Sequence, residues 1–140
     1  MAAKIGYIRN ARSTGGGSAP PASTDLLVYA PSNFDELETA LHEMQRAGVE
    51  TLIIDGGDGT IREVLSRSHD IWPANGVNYA IVANGNTNLI ARSAGALPQD
   101  DPVSAIQRGG LLETRIPMLK IDRKGHPSLR GFIMGAGAYE

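Results

Sequence analysis

Cysteine is absent from this 140-residue chain. Its absence excludes a disulfide framework, a thiolate zinc site and a cysteine nucleophile together. It also leaves no argument for an oxidising compartment. The three histidines, His42, His69 and His126, lie far apart and share no ligand spacing, so a histidine metal cluster is not expected. Net charge is only −2, too small to imply a polyanionic partner, and no nucleic acid is expected. No long apolar run occurs near the start. The stretch from Ile5 to Ile8 is far too short for a signal h-region or a spanning helix, so the expected location is cytoplasmic. Neither Gly-Lys-Ser nor Gly-Lys-Thr is present, which excludes a P-loop, and the dinucleotide Gly-x-Gly-x-x-Gly pattern is also missing. No Ser-His-Asp or paired-carboxylate arrangement stands out to support hydrolase chemistry.

What is present is globular. Hydrophobic residues make up 41% and charged residues 20%, and a chain of this length is room for one domain with a real core. Glycine is abundant, at 17 residues, which points to tight backbone positions of the kind found near ligands. The charge is uneven. Residues 1–102 carry 7 Lys or Arg against 12 Asp or Glu, and residues 103–140 carry 6 against 3. The basic tail is either a solvated face or a weak attraction for an anionic membrane surface or substrate.

Along the chain, Lys4–Arg9 and Leu26–Ala30 read as strands, joined by the Gly-, Ser- and Pro-rich loop Asn10–Thr24. Phe34, Leu37, Leu41 and Met44 recur at helical spacing, with Ser32 or Asn33 as cap and Gly48 as exit. Thr51–Ile54 is the nearly all-apolar strand of a sheet covered on both faces. A helix over Ile61–Ser68, a strand over Asn78–Val82 and short helices over Leu89–Ala94 and Pro102–Gln107 follow. The tail predicts an antiparallel hairpin from strands Thr114–Ile121 and Leu129–Met134. The fold class is therefore α/β: three layers, a mostly parallel sheet with helices on both faces, ending in the hairpin. Ligands of such sheets sit off the carboxyl ends of the strands.

Three loops occupy that edge. Gly56-Gly57-Asp58-Gly59-Thr60 lies between a buried strand and a helix start. Its glycines add nothing to a core but let backbone approach a ligand, and free amides with the helix dipole make a phosphate cradle. Asp58 beside a polyanion makes sense if magnesium mediates; the plain alternative is a tight turn with Asp58 as helix cap. Asn84–Asn88 also leaves a strand and enters a helix, and Gly85 stands 28 residues after Gly57, about one strand–helix–strand unit. The third loop begins at Asn10. Arg12 and Arg62 are candidates to neutralise phosphate, and Glu63 to orient the loop or metal, against the alternative that all three are solvated surface charges.

These residues resemble the diacylglycerol kinase catalytic domain family, which includes bacterial lipid kinases and sphingosine kinases. Gly56-Gly57-Asp58-Gly59-Thr60-Ile61-Arg62-Glu63-Val64 is similar to the family's Gly-Gly-Asp-Gly-Thr-x-Asn-Glu-Val, with Arg62 for asparagine. Ala83–Arg92 resembles the second motif, Pro-x-Gly-Thr-x-Asn-Asp-x-Ala-Arg: Gly85, Asn88, Ala91 and Arg92 match, while Asn86 stands for the threonine, with Thr87 one place later. Asn10 and Ser13 match the Asn-Pro-x-Ser-Gly motif.

The resemblance runs over the whole chain. It implies a single nucleotide-binding domain over residues 1–140, without the family's C-terminal β-rich domain, that uses ATP and Mg2+ to phosphorylate a lipid hydroxyl at a membrane surface. It implies nucleotide contacts from Asn10, Ser13, Gly56, Gly57, Asp58, Gly59, Thr60, Ile61, Arg62, Glu63, Gly85, Asn86, Thr87 and Asn88, with Asp58 as the catalytic and metal-associated residue. The family places a long helix between its first two strands, where this chain has only Asn10–Thr24. An NAD-type small-molecule kinase shares Gly-Gly-Asp-Gly, but the Asn88-x-x-Ala91-Arg92 match argues against it. A non-catalytic nucleotide-binding or assembly module is the other alternative. Exposed Ile116, Leu119, Phe132 and Met134 on the hairpin lead to the expectation of a homodimer, and the lipid substrate to the expectation of a location peripheral to the membrane.

Overall fold

The apolar run Leu52-Ile53-Ile54 becomes the fully buried middle of the sheet, as its lack of alternation requires. A computed structural model of the chain describes residues 4–12, 20–84, 89–95, 101–110 and 113–132. Within them, β1 (Ile5–Arg9), β2 (Leu26–Tyr29), β3 (Thr51–Gly56) and β4 (Asn78–Ala83) form a parallel sheet in the order β2-β1-β3-β4. The register pairs Tyr7 with Ile53 and Arg9 with Asp55. Strand β3 runs through Asp55 and Gly56, two residues beyond its apolar segment, because β1 pairs with it as far as Asp55 and β4 as far as Gly56.

One face of the sheet is covered by α1 (Phe34–Arg46), α2 (Asp58–Ile71) and α3 (Leu89–Ser93), which bring Leu37, Leu41, Met44, Ile61, Val64, Leu65 and Ile90 onto Ile8, Leu52 and Ile54. The opposite face carries Ile5, Tyr7, Leu26 and Ile53, with Val103 and Ile106 of α4 (Pro102–Gln107) packed against them. Strand parity separates the two sets. Of the two expected caps, Asn33 is the one used: its side chain accepts from the Glu36 amide at 2.9 Å. Glu36 reaches back to the Ser32 amide at 2.7 Å, a reciprocal arrangement close to a capping box. Helix α1 ends where Gly48, at φ +80°, donates to Gln45 O while Val49 donates to Met44 O. These two bonds make a Schellman motif that needs the left-handed residue. Helix α2 starts three residues earlier than its apolar spacing indicates, since Asp58, Gly59 and Thr60 form its first turn.

The hairpin differs most from the sequence reading. Its strands are β5 (Leu119–Arg123) and β6 (His126–Gly131), turned at Lys124-Gly125 with Gly125 at φ +75°. The turn lies where it was expected, but both strands hug it more closely, and Pro117 falls before the ladder it could not join. Ile116 and Leu119 are exposed as anticipated; Phe132 instead packs on the main core beside Met118, and Met134 lies outside the described residues.

Strand β6 docks on α2. The Ser66 hydroxyl accepts from the Arg130 amide at 2.8 Å and donates to the Arg130 carbonyl at 3.2 Å, and the Arg130 guanidinium pairs with Asp70 at 3.1 Å. Replacing Ser66 by Ala strips a half-buried backbone unit of both partners, an expected loss of about 1–3 kcal/mol in urea unfolding with faster amide exchange at Arg130. Unchanged stability and exchange would show that the Arg130–Asp70 pair and the apolar contacts of Met118 and Phe132 seat the hairpin without Ser66. No helix among the described residues is long and apolar enough to cross a membrane.

Candidate functional site

The chain passes from β1 outward to β2, then returns past β1 to β3 and β4. Adjacent strands β1 and β3 therefore send their following loops in opposite directions, and the crevice between their carboxyl ends is where a ligand fits such a sheet. The residues leaving these two strands are Asn10 and Gly57, and Asn84 leaves β4 beside them. The topology thus brings the starts of the three candidate loops to one edge.

Gly56-Gly57 makes the turn from strand to helix. Gly57 is the N-cap of α2, with extended backbone and no side-chain cap bond. The first intrahelical bond runs from the Ile61 amide to Gly57 O at 3.0 Å. The amides of Asp58, Gly59 and Thr60 precede it and point out of the helix end, where an anion is favoured. The turn is tight: a Cβ on buried Gly56 would lie 2.8 Å from Thr60 Cβ and Oγ1. Glycine is required here by contact with the next helical turn.

Asn10 ties the neighbouring strand into this turn. Its amide donates to Asp55 O at 3.1 Å, its side-chain nitrogen donates to Thr60 Oγ1 at 3.0 Å, and its side-chain oxygen accepts from the Arg12 amide at 2.9 Å. Thr60 thus faces β1. Asp58 turns the other way: its carboxylate accepts from the Ile90 amide at 3.2 Å and the Leu89 amide at 3.4 Å, capping α3. The alternative of Asp58 as a helix cap is met, but at a different helix from the one it begins.

The remaining predicted residues divide. Ile61 is fully buried in the core, and only its backbone is near the turn. Arg62 is half exposed and pairs with Glu63 at 3.0 Å; Glu63 also approaches Arg67 at 3.7 Å, along the side of α2. Arg67 in turn pairs with Glu38 and stacks on the Phe34 ring, so Glu63 belongs to a charge lattice joining α1 and α2. Ser13, Gly85, Asn86, Thr87 and Asn88 lie outside the described residues.

Two buried groups at this edge escaped the sequence reading. Asp55 is 2% exposed. Tyr7 donates its hydroxyl to Asp55 Oδ2 at 2.5 Å, and Asn84 donates its side-chain nitrogen to Oδ1 at 2.7 Å. Burial, and then the bond to Asp55, push the Tyr7 phenol above its ordinary range, so it stays a donor. The available signal was a carboxylate ending an apolar strand directly before two glycines. A cavity of about 400 Å3 lies elsewhere, beyond the end of β2, lined by Tyr29, Pro31, Thr39 and the acidic Asp35, Glu36 and Glu43. Its carboxylates repel phosphate, so it is not the better candidate.

The model of the diacylglycerol kinase catalytic domain matches residues 19–117, well over half the chain. This chain belongs to that family. The match spans the Gly56–Thr60 turn and the exit of β4, and leaves β1 with Asn10, and the hairpin, outside it. It is narrower than the whole-chain resemblance. No curated protein matches the chain. Membership makes this diacylglycerol kinase-type domain a kinase-family catalytic domain, and its parallel sheet with helices on both faces and terminal hairpin is the fold expected of one.

Proposed function

We propose that this domain holds the phosphates of ATP with magnesium for transfer of the γ-phosphoryl to a lipid hydroxyl. The observation that carries the reading is the uncapped start of α2 behind a glycine turn, at the crevice between β1 and β3. The amides of Asp58, Gly59 and Thr60 bind the phosphate oxygens, and the near approach of backbone depends on Gly56 and Gly57.

Among the described residues no group of three or more His, Asp or Glu gathers to hold a metal. That donor set fits magnesium only as an ion shared with the nucleotide: one carboxylate, Asp58, with phosphates and water completing the shell. Bound so, the ion would offset charge on the phosphates. Thr60, oriented by Asn10, and the α2 dipole provide the chain's own contribution. In the transfer, an acceptor oxygen forms a bond to the γ-phosphorus as the bond to the β–γ bridging oxygen breaks, and ADP leaves. The hydroxyl proton needs a base; of the carboxylates at the turn, Asp58 is bonded to the amides that open α3 and Asp55 is buried. The excess of Lys and Arg after residue 102 suits an anionic lipid surface.

Isothermal calorimetry with MgATP tests the reading, and is expected to show saturable binding by this 140-residue chain. A flat titration would overturn it. With radiolabelled ATP and diacylglycerol vesicles, the chain alone is expected to give no transfer above background. Robust transfer would place the base and the acceptor site within these residues.

A further inference from the structure

Asp55 is a charged side chain in the wrong place for a core. A carboxylate removed from water costs several kcal/mol unless it is fully bonded, whereas an apolar residue at the same strand position would cost nothing of the kind. The proposed chemistry does not use it, and at 2% exposure it cannot touch a nucleotide. Its bonds show what it does instead. One oxygen takes the hydroxyl of Tyr7 on β1 and the other takes the amide of Asn84, the residue at which the chain leaves β4. A carboxylate only accepts, so Asn84 must turn its NH2 inward and is fixed in one orientation.

The backbone at Asn84 bends sharply there, its amide donating to Val82 O at 2.9 Å. Five residues on, the amides that open α3 are tied to Asp58. Asp55 and Asp58 flank Gly56-Gly57. The exit from β4 and the entrance to α3 are therefore both anchored to the turn that carries the phosphate amides.

We propose that Asp55 is a positioning residue for the nucleotide site, holding the β4 exit at Asn84 in register with the Gly56–Thr60 turn through a buried Tyr7–Asp55–Asn84 bridge. The inference rests on the nucleotide reading above. It differs from a purely stabilising role in one respect: it requires that the folded chain lose affinity when the bridge is broken.

Calorimetry with MgATP, well below the unfolding temperature of each variant, tests it. Asn84→Asp, which sets two carboxylates together, is expected to weaken MgATP by at least about tenfold in chains whose amide spectra remain folded. Adding Asp55→Asn restores an amide-to-carboxylate bond in the reverse sense, leaves an oxygen at position 55 for the Tyr7 hydroxyl, and is expected to recover most of the affinity. Unchanged affinity in folded Asn84→Asp, even with a lowered melting temperature, would overturn the proposal, as would a double variant no better than Asn84→Asp alone. If Asn84→Asp does not fold, Tyr7→Phe decides by the same measurement: a severalfold loss supports the bridge and wild-type affinity overturns it. Failure of the unsubstituted chain to bind MgATP would instead bring down the nucleotide reading, and with it this inference.

Discussion

Gly56→Ala is expected to weaken MgATP binding by at least about tenfold and to cost about 1–3 kcal/mol of stability. The added methyl group meets Thr60 at its Cβ, Oγ1 and Cγ2, all within 2.9 Å. The Cβ is bonded to the backbone of the first turn of α2 and does not move with χ1, so no rotamer change can clear the clash. The turn itself must move, and the amides of Asp58, Gly59 and Thr60 move with it. The Asn10–Thr60 bond, at 3.0 Å, is the first to be lost. Gly59→Ala is the internal contrast. Nothing lies within 4 Å of its Cβ, and inside a helix Ala is favoured over Gly by up to about 1 kcal/mol, so this chain is expected to unfold at equal or higher urea. Calorimetry and urea unfolding of the pair check both signs. A Gly56→Ala chain with wild-type affinity would show that the α2 amides do not hold the phosphates.

The second large effect is at Asp58, where charge and capping can be separated. Asp58→Asn keeps one oxygen to accept from the Ile90 amide, gives up the longer bond to Leu89 and removes the negative charge. It is expected to lose less thermal stability than Asp58→Ala and to abolish the magnesium dependence of ATP binding. Asp58→Ala removes both, and should add a stability loss of about 1 kcal/mol, the usual value of a lost cap. ATP titrations of both variants with and without magnesium, beside their melting curves, separate the two roles. If Asp58→Asn binds MgATP as the parent chain does, the carboxylate serves only α3. If Asp58→Ala melts with the parent chain, the bonds to α3 contribute nothing.

The charge lattice of Glu63, Arg67 and Glu38 belongs to neither argument. These groups are partly exposed, and such pairs contribute little each. Glu63 was a reasonable candidate from sequence because it stands one turn into the helix after the glycines. The structure turns it along α2 toward Arg62 and Arg67, a direction that depends on where α1 lies.

Most of the fold was legible because each element carries its own local reason. The period of Phe34, Leu37, Leu41 and Met44, with Asn33 before it and Gly48 after it, specifies α1 within the chain segment that forms it. The unbroken apolar run Leu52–Ile54 marks a strand covered on both sides. Pro102–Gln107 is bounded by Asp101, whose side chain accepts from Ser104, and by a proline at the first helical position. The hairpin strands were less legible. Their burial pattern is weak, all of β5 being exposed, so composition alone did not mark where pairing stops.

The sequence by itself determined the glycine turn between β3 and α2, the alternation of strands and helices that puts such a turn at a sheet edge, and membership of a kinase family. Each of these is a local pattern, readable over five to fifteen residues. Only the tertiary structure decided that Asp58 caps α3 rather than its own helix, that Phe132 joins the core, and that Tyr7, Asp55 and Asn84 meet. Tyr7 and Asp55 are separated by 48 residues and Asp55 and Asn84 by 29. Their contact depends on strand order and register, and a shift of one residue in either pairing would send a side chain to the opposite face. A lone aspartate at the end of an apolar strand carries no such information until its neighbours in the sheet are known.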